Sequence, residues 1–290
     1  MIQSVAFIGL GAMGYRMAAH LVNQFEQVWV WNRNFSKAEQ HAQQYGSQAV
    51  ELSQAVQADV IFSCLPTSQD VVDLIQGLPL RAGSVWVDCT SGVPDTARVL
   101  HTQLKAQGVG FLDAPVSGQT IGAERGTLTV MIGGDAEDVQ RALPAMQCFG
   151  QLIQHVGEPG AGFAVKAVNN MLLAVNLCAA LEGFSTLKAH GVDLNNALAC
   201  INASSGKSAA TESVLPQRIL NREFPLTFAL PLLAKDTGIA LDLAHQAKLA
   251  VPVIAQTQSL VQAASNQIDQ NSDFSTLAYL YEHWNKITIE

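Results

Sequence analysis

Lys166 and Asn170 stand four residues apart in the run Gly160-Ala161-Gly162-Phe163-Ala164-Val165-Lys166-Ala167-Val168-Asn169-Asn170. On a helix that spacing puts an ammonium and an amide on one face. A lysine on an apolar helix normally extends to solvent, but one held in a dry cleft has a lowered pKa and exchanges protons near neutrality. The pair therefore offers a general acid or base beside an amide that orients a substrate oxygen without titrating. A second polar segment, Asp113-Ala114-Pro115-Val116-Ser117-Gly118-Gln119, brings a hydroxyl and exposed backbone N–H groups of the kind that hold a carboxylate. Taken singly it reads equally well as an ordinary polar turn.

A third pattern concerns phosphates. The short apolar strand Ser4-Val5-Ala6-Phe7-Ile8 runs into Gly9-Leu10-Gly11-Ala12-Met13-Gly14, the spacing G-x-G-x-x-G. Gly9 permits a tight turn, Gly11 lets backbone approach a pyrophosphate, and Gly14 allows close packing of the next helix on the strand. The N–H groups at that helix start then face the phosphates of a dinucleotide. After the next strand, 27–31, an NAD site usually has an Asp or Glu to accept from ribose hydroxyls, whereas this chain has Asn32-Arg33-Asn34. An arginine there stacks on adenine and pairs with a ribose phosphate, and Lys37 adds a second positive charge, so NADP is favoured and NAD remains possible. The competing reading of Arg33 is a solvated surface side chain, and Ser36 reads as a helix N-cap.

These groups need elements to hold them. Stretches 59–64, 84–88, 109–113, 127–132 and 151–156 are β-like and alternate with amphipathic segments, which predicts a doubly wound α/β sheet, a Rossmann-type domain over 1–162. Turns after its strands are where ligands sit, and Cys64-Leu65-Pro66-Thr67 and Asp88-Cys89-Thr90-Ser91 are two such turns. Beyond 162 no strand pattern remains. A long helix over 163–190, apolar on nearly every face, leads an all-α domain over 163–290 with helices near 194–202, 231–247, 252–268 and 276–286. Lys166, Asn169, Asn170, Asn176 and Glu182 would be costly in lipid, so that helix is expected to be buried between domains or subunits, not in a membrane.

Composition narrows the partners. The 290 residues are 49% hydrophobic and 14% charged, enough for a large core, and a net charge of -8 argues against nucleic acid or an anionic membrane as partner. The five cysteines form no C-x-x-C pair and have no acidic or His ligands at metal spacing, so no metal site and a reducing, cytoplasmic setting are expected. The apolar helical half predicts a homodimer or homotetramer.

Together the segments resemble the β-hydroxyacid dehydrogenase family over nearly the whole chain. The resemblance rests on Gly9 to Gly14, on Asp113 to Gly118 running into Gly122-Ala123 and Gly126-Thr127-Leu128, on Gly160 to Asn170, and on Lys235-Asp236. It implies a nicotinamide-dependent interconversion of a short β-hydroxy acid and its semialdehyde, with Lys166 as proton donor. It further implies that Ser117, Gly118 and Asn170 bind substrate, and that Ser91 and Lys235 contact the cofactor. The resemblance implies too that Leu65 and Pro66 line the cofactor's cleft and that Asp236 supports the site. Asn32-Arg33 looks like the family variant that accepts NADPH. Gln119 departs from the pattern, which usually has a second glycine there; it either narrows the pocket, adds an amide contact or points to solvent. Imine reductases share the two-domain plan but typically lack the lysine, and a non-catalytic NADPH-binding sensor is the reading from another class.

Overall fold

The computed structural model describes residues 2–290, whose contacts fall into two compact units, Met1–Lys166 and Ala167–Glu290. The division between these units lies inside a helix.

In the first unit, strands β1 (Ser4–Ile8), β2 (Gln27–Trp31), β3 (Gln48–Ala49), β4 (Val60–Ser63), β5 (Val85–Asp88) and β6 (Gly110–Asp113) run parallel, in the spatial order β3-β2-β1-β4-β5-β6. Strands β7 (Val116–Ser117) and β8 (Leu128–Gly133) add antiparallel pairs, and β9 (Gly150–Gly157) lies parallel to β8. Helices α1 (Gly14–Ala19), α2 (Phe35–Tyr45), α3 (Leu52–Ala55), α4 (Ser68–Ile75), α5 (Pro94–Lys105), α6 (Gln119–Arg125) and α7 (Ala136–Met146) connect them. The central strands β1, β4 and β5 are buried along their whole length, as continuous apolar runs in a covered parallel sheet must be. One core holds Val5, Phe7, Met17, Phe62 and Phe149; the other holds Ala6, Ile8, Ile61, Trp86 and Phe111. Alternate residues of the same strands thus feed both faces. This is the doubly wound Rossmann-type sheet that the alternating pattern predicts. The two-residue strands β3 and β7 were not foreseen, since they exist through cross-strand pairing of Trp29 with Gln48 and Ser117 with Thr129, not through an apolar run of their own.

Helix α8 (Ala161–Ala189) crosses the division, and α9 (Leu194–Asn202), α10 (Leu230–Gln246), α11 (Pro252–Gln267) and α12 (Leu277–Asn285) complete the second unit. A π-helical stretch, Ala210–Ile219, has no counterpart in the sequence reading. Pro216 lies inside it and has no N–H for the ordinary helical ladder, and Leu220 N instead donates five residues back to Leu215 O at 2.8 Å. Ala174, Leu177, Leu181 and Phe184 of α8 pack with Leu215, Leu233, Val261 and Leu277 in the second unit's core. By length and composition alone α8 could cross a membrane. Its burial is one-sided, however, with Val165, Val168 and Leu172 exposed at 42%, 44% and 55%. The only β-type pairing among the described residues of this unit is a bridge between Ala229 and Asp273. There the Asp273 carboxylate accepts from Arg218, Thr227 and Phe228 N–H and the Ser275 hydroxyl, closing the loop before α10 onto the turn before α12.

Gly9 and Gly14 are required by this packing. A Cβ on Gly14 would strike the Gly9 carbonyl oxygen and come within 2.8 Å of the Phe7 ring, whereas one on Gly11 would meet nothing within 4 Å. Gly14→Ala is expected to cost about 1–3 kcal/mol as overpacking against backbone that cannot yield, while Gly11→Ala stays within about 0.5 kcal/mol. Thermal unfolding of the two variants checks this, and equal melting points would remove the packing role given to Gly14.

Candidate active site

The glycine turn is suspended between β1 and β2. Gly9 N donates to Trp31 O at 3.0 Å, and Leu10 N donates to the Asn32 side-chain oxygen at 2.9 Å. Asn32 Nδ2 in turn donates to Asn34 O at 3.0 Å. Gly9 has φ +95, and a Cβ there would collide with the Cys64 carbonyl and lie 2.7 Å from Leu65. The N–H groups of Gly11, Ala12 and Met13 make no hydrogen bond among the described residues, and Gly11 and Ala12 are exposed. The turn therefore presents consecutive donors beside a position where nothing in the protein demands glycine, which fits a pyrophosphate approaching the backbone.

Asn32, read from sequence as a cofactor residue, has its amide committed to bracing this turn. Arg33 and Lys37 are exposed and make no ion pair among the described residues. Ser36 is not the N-cap of α2: Asn34 holds that position, and Ser36 Oγ donates to Asn34 Oδ1 at 2.8 Å. The wrong assignment came from favouring the hydroxyl over the equally good capping residue two places earlier.

Two turns after β4 and β5 are tied by a buried network. Ser63 Oγ donates to Asp88 Oδ1 at 2.9 Å, Trp86 Nε1 donates to Ser63 Oγ at 2.8 Å, and Thr90 N donates to the same Asp88 oxygen at 3.1 Å. Thr90 Oγ1 then accepts from Leu65 N at 3.1 Å. Leu65 is thus held in place by the turn 88–91, which the sequence reading offered as a ligand turn; Ser63 and Trp86, which complete the network, it did not single out. The signal for them was an Asp at the end of a buried strand. Pro66 is exposed and Ser91 half-buried at the same strand ends. Burial raises the Cys89 thiol well above its ordinary range, with Cys64 and Asp88 adding to the rise, so it is no nucleophile.

At the end of β6 the Asp113 carboxylate, 0% exposed, accepts from Gly160 N at 2.7 Å and Phe163 N at 2.8 Å, the first turn of α8. Burial pushes this carboxyl up to about 6, and Asp88 on the neighbouring strand adds to the rise, against the two N–H groups that favour its charge. Lys166 lies one turn further along α8, half-buried. From Asp113 the chain continues to Ser117 on β7, and Gly118 (φ +135) caps α6. Gln119 is exposed and adopts φ +58, a left-handed conformation glycine accepts freely.

In the second unit Asn170, 4% exposed, donates through Nδ2 to Asp236 Oδ2 at 2.6 Å and accepts from Asn169 at 3.1 Å. Lys235 Nζ lies 3.5 Å from Asp236 Oδ1. The Asp236 carboxylate thus fixes which end of the Asn170 amide points where, and the second Nδ2 hydrogen is left for another acceptor. No group of three His, Cys, Asp or Glu side chains suited to a metal occurs among the described residues.

Comparison with known proteins extends these observations. Residues 4–157 match the NAD-binding domain of 6-phosphogluconate dehydrogenase, and residues 160–281 match the NAD-binding domain of NADP-dependent 3-hydroxyisobutyrate dehydrogenase. The NAD-dependent L-serine dehydrogenase of Pseudomonas aeruginosa is 34% identical over 97% of this chain and 98% of its own. The 3-hydroxyisobutyrate dehydrogenase of that organism is 33% identical over 96% and 98%. Among solved structures, Mycobacterium tuberculosis 3-hydroxyisobutyrate dehydrogenase with L-serine superposes with a TM-score of 0.90 at 29% identity, covering 97% of this chain and 99% of that one. With its suspended glycine turn and two matched domains, the chain belongs to the β-hydroxyacid dehydrogenase family of nicotinamide-dependent oxidoreductases acting on CH–OH groups.

Proposed function

We propose that the enzyme is an NADPH-preferring reductase of short semialdehyde acids, oxidising the matching β-hydroxy acids in reverse, with Lys166 as the proton donor. The observation that carries this reading is the start of α8. One carboxylate, Asp113, fixes the helix that bears Lys166 and Asn170 to the strand that runs on to Ser117 and Gly118. A nicotinamide held by the glycine turn would supply the hydride. Ser117 and the backbone N–H groups at Gly118 hold the substrate carboxylate. Lys166 Nζ gives a proton to the aldehyde oxygen as it becomes an alcohol, and takes it back in the oxidative direction. Asn170, its amide oriented by Asp236, is a further substrate-binding residue.

For the cofactor, the turn from Gly9 to Gly14 takes the pyrophosphate and Arg33 with Lys37 takes the ribose phosphate. Asn32-Arg33-Asn34 contains no carboxylate to repel that phosphate. The relatives differ on this point: the matched second domain is described for an NADP-dependent enzyme, and the serine dehydrogenase for an NAD-dependent one. Gln119 stands beside the carboxylate grip, so acids with a polar substituent, such as L-serine and tartronate semialdehyde, belong among the substrates to test.

The one-sided burial of α8, with Val165, Val168 and Leu172 exposed, supports a homodimer or homotetramer. Light scattering at micromolar concentration is expected to give a multiple of the chain mass, and a monomer would refute it.

Initial rates of NADPH and NADH oxidation with succinic, methylmalonate and tartronate semialdehydes and glyoxylate test the reaction, with L-serine in reverse. Turnover favouring NADPH is expected. Lys166→Met should lower turnover about 10²–10⁴-fold, the usual worth of a general acid, with NADPH affinity unchanged; near-native rates in that variant would overturn the assigned chemistry. Arg33→Ser should weaken NADPH binding about 10-fold or more and leave NADH little affected, since a hydrogen bond to a charged group is worth about 1.5–3 kcal/mol. Equal effects on both cofactors would remove Arg33 from the phosphate site.

A further inference from the structure

We infer that Asp113 is a positioning residue for proton transfer, holding the first turn of α8 so that Lys166 and the Ser117-Gly118 segment keep one fixed spacing. The inference rests on the Lys166 reading above and adds to it a residue that touches neither substrate nor cofactor.

The geometry is specific. Each Asp113 oxygen accepts one backbone N–H from the start of α8, Gly160 on Oδ1 at 2.7 Å and Phe163 on Oδ2 at 2.8 Å. These are helix-start donors without an intrahelical partner, and a carboxylate is the group that satisfies two of them while favouring the positive end of the helix. The surroundings are shaped to bring carboxylate and helix together. A Cβ on Gly133 would come within 2.5 Å of Asp113 Oδ1 and 2.8 Å of Glu158 O, and one on Gly162 within 2.6 Å of Asp113 O. Gly162 also lies against the Met131 carbonyl. Phe163, 1% exposed, drives its ring against Gly92, so the same turn is held from a second side.

Both functional segments leave from this anchor. Lys166 is three residues beyond Phe163, a rise of about 4.5 Å along the helix. In the other direction Pro115 O accepts from Met131 N at 3.1 Å and Ser117 pairs with Thr129, so the five residues from Asp113 to Ser117 follow a fixed course along β8. Every contact in the chain from Ser117 through Asp113 to Lys166 lies in the first unit. A carboxylate kept fully buried where its own burial disfavours the charge is a poor choice for stability alone. It is a good choice for fixing two backbone donors at once, and a shift near 1 Å in the group that transfers a proton can cost about 10²-fold in rate.

Asp113→Asn retains the shape and one acceptor oxygen but presents an N–H₂ where the second helix N–H needs an acceptor. Assayed with NADPH and the semialdehyde turned over fastest, it is expected to lower kcat about 10- to 100-fold per folded molecule, with NADPH affinity unchanged. The solvent deuterium isotope effect on kcat should rise, because proton transfer becomes more rate-limiting. A general loss of folded protein lowers the active fraction and leaves that isotope effect alone. Where Asp113→Asn does not fold, Phe163→Leu loosens the same turn with the carboxylate in place and should give the same two changes. Native kcat per folded molecule and a native isotope effect in the variant that folds would overturn the inference. Lys166→Met separates the two levels: if it retains turnover, the lysine reading has failed; if it is inactive while Asp113→Asn is kinetically native, only the positioning role has.

Discussion

The Asp113 carboxylate, placed between the end of β6 and the start of α8, is the constraint on which the rest of the site depends. A buried carboxylate and a helix start are each unfavourable when left alone, one as an unpaired charge and the other as a set of donors without acceptors. Brought together at 2.7 and 2.8 Å they satisfy one another. Glycines 133 and 162 can be read as consequences, since side chains there would hold strand and helix apart. The position of Lys166 in space is therefore decided by a strand more than fifty residues earlier in the chain.

The cofactor half works by the same means with weaker groups. The glycine turn is tied to β2 through a single amide, Asn32, and the loop carrying Leu65 is tied to β5 through a hydroxyl, Thr90, that itself rests on Asp88. Neutral hydrogen bonds contribute about 0.5–1.5 kcal/mol each, so these loops are positioned by several modest bonds, not by one strong bond. In the second unit the buried Asp236 carboxylate sets the direction of the uncharged Asn170 amide, where Asp88 in the first holds the backbone N–H of Thr90.

Much of this was legible in the sequence because its cause is local. Strand β1 and strand β2 were read to the residue, since a buried parallel strand is a continuous apolar run followed by a turn. Helix α9 was also read to the residue, and α8 was placed to within two residues at its start because nothing in the run breaks it. What was missed depends on partners far away in the chain. Strand β7 is two residues long and exists only because Thr129 and Val130 stand opposite. The π-helical turn at Pro216 looks, residue by residue, like an ordinary helix with an unwelcome proline. Asn32 was named among the cofactor residues and Asp113 only as the first residue of a polar segment, and their task of binding backbone N–H groups of another segment has no signature in spacing. Side chains that act on ligands occur in motifs; side chains that act on backbone are found only once the backbone is in place.

The amide of Asn32 carries a lesson for redesign of nucleotide preference. It accepts from Leu10 N with its oxygen and donates to Asn34 O with its nitrogen, so both of its ends are in use. Replacing it with the acidic residue usual at the end of this strand in NAD enzymes would keep the acceptor and abolish the donor, placing an oxygen against the Asn34 carbonyl. A substitution at position 32 aimed at nucleotide preference therefore also alters the hydrogen bonds that hold the loop. At Arg33 the side chain is exposed and makes none of these loop-bracing bonds, so a substitution there leaves the Asn32 bonds in place.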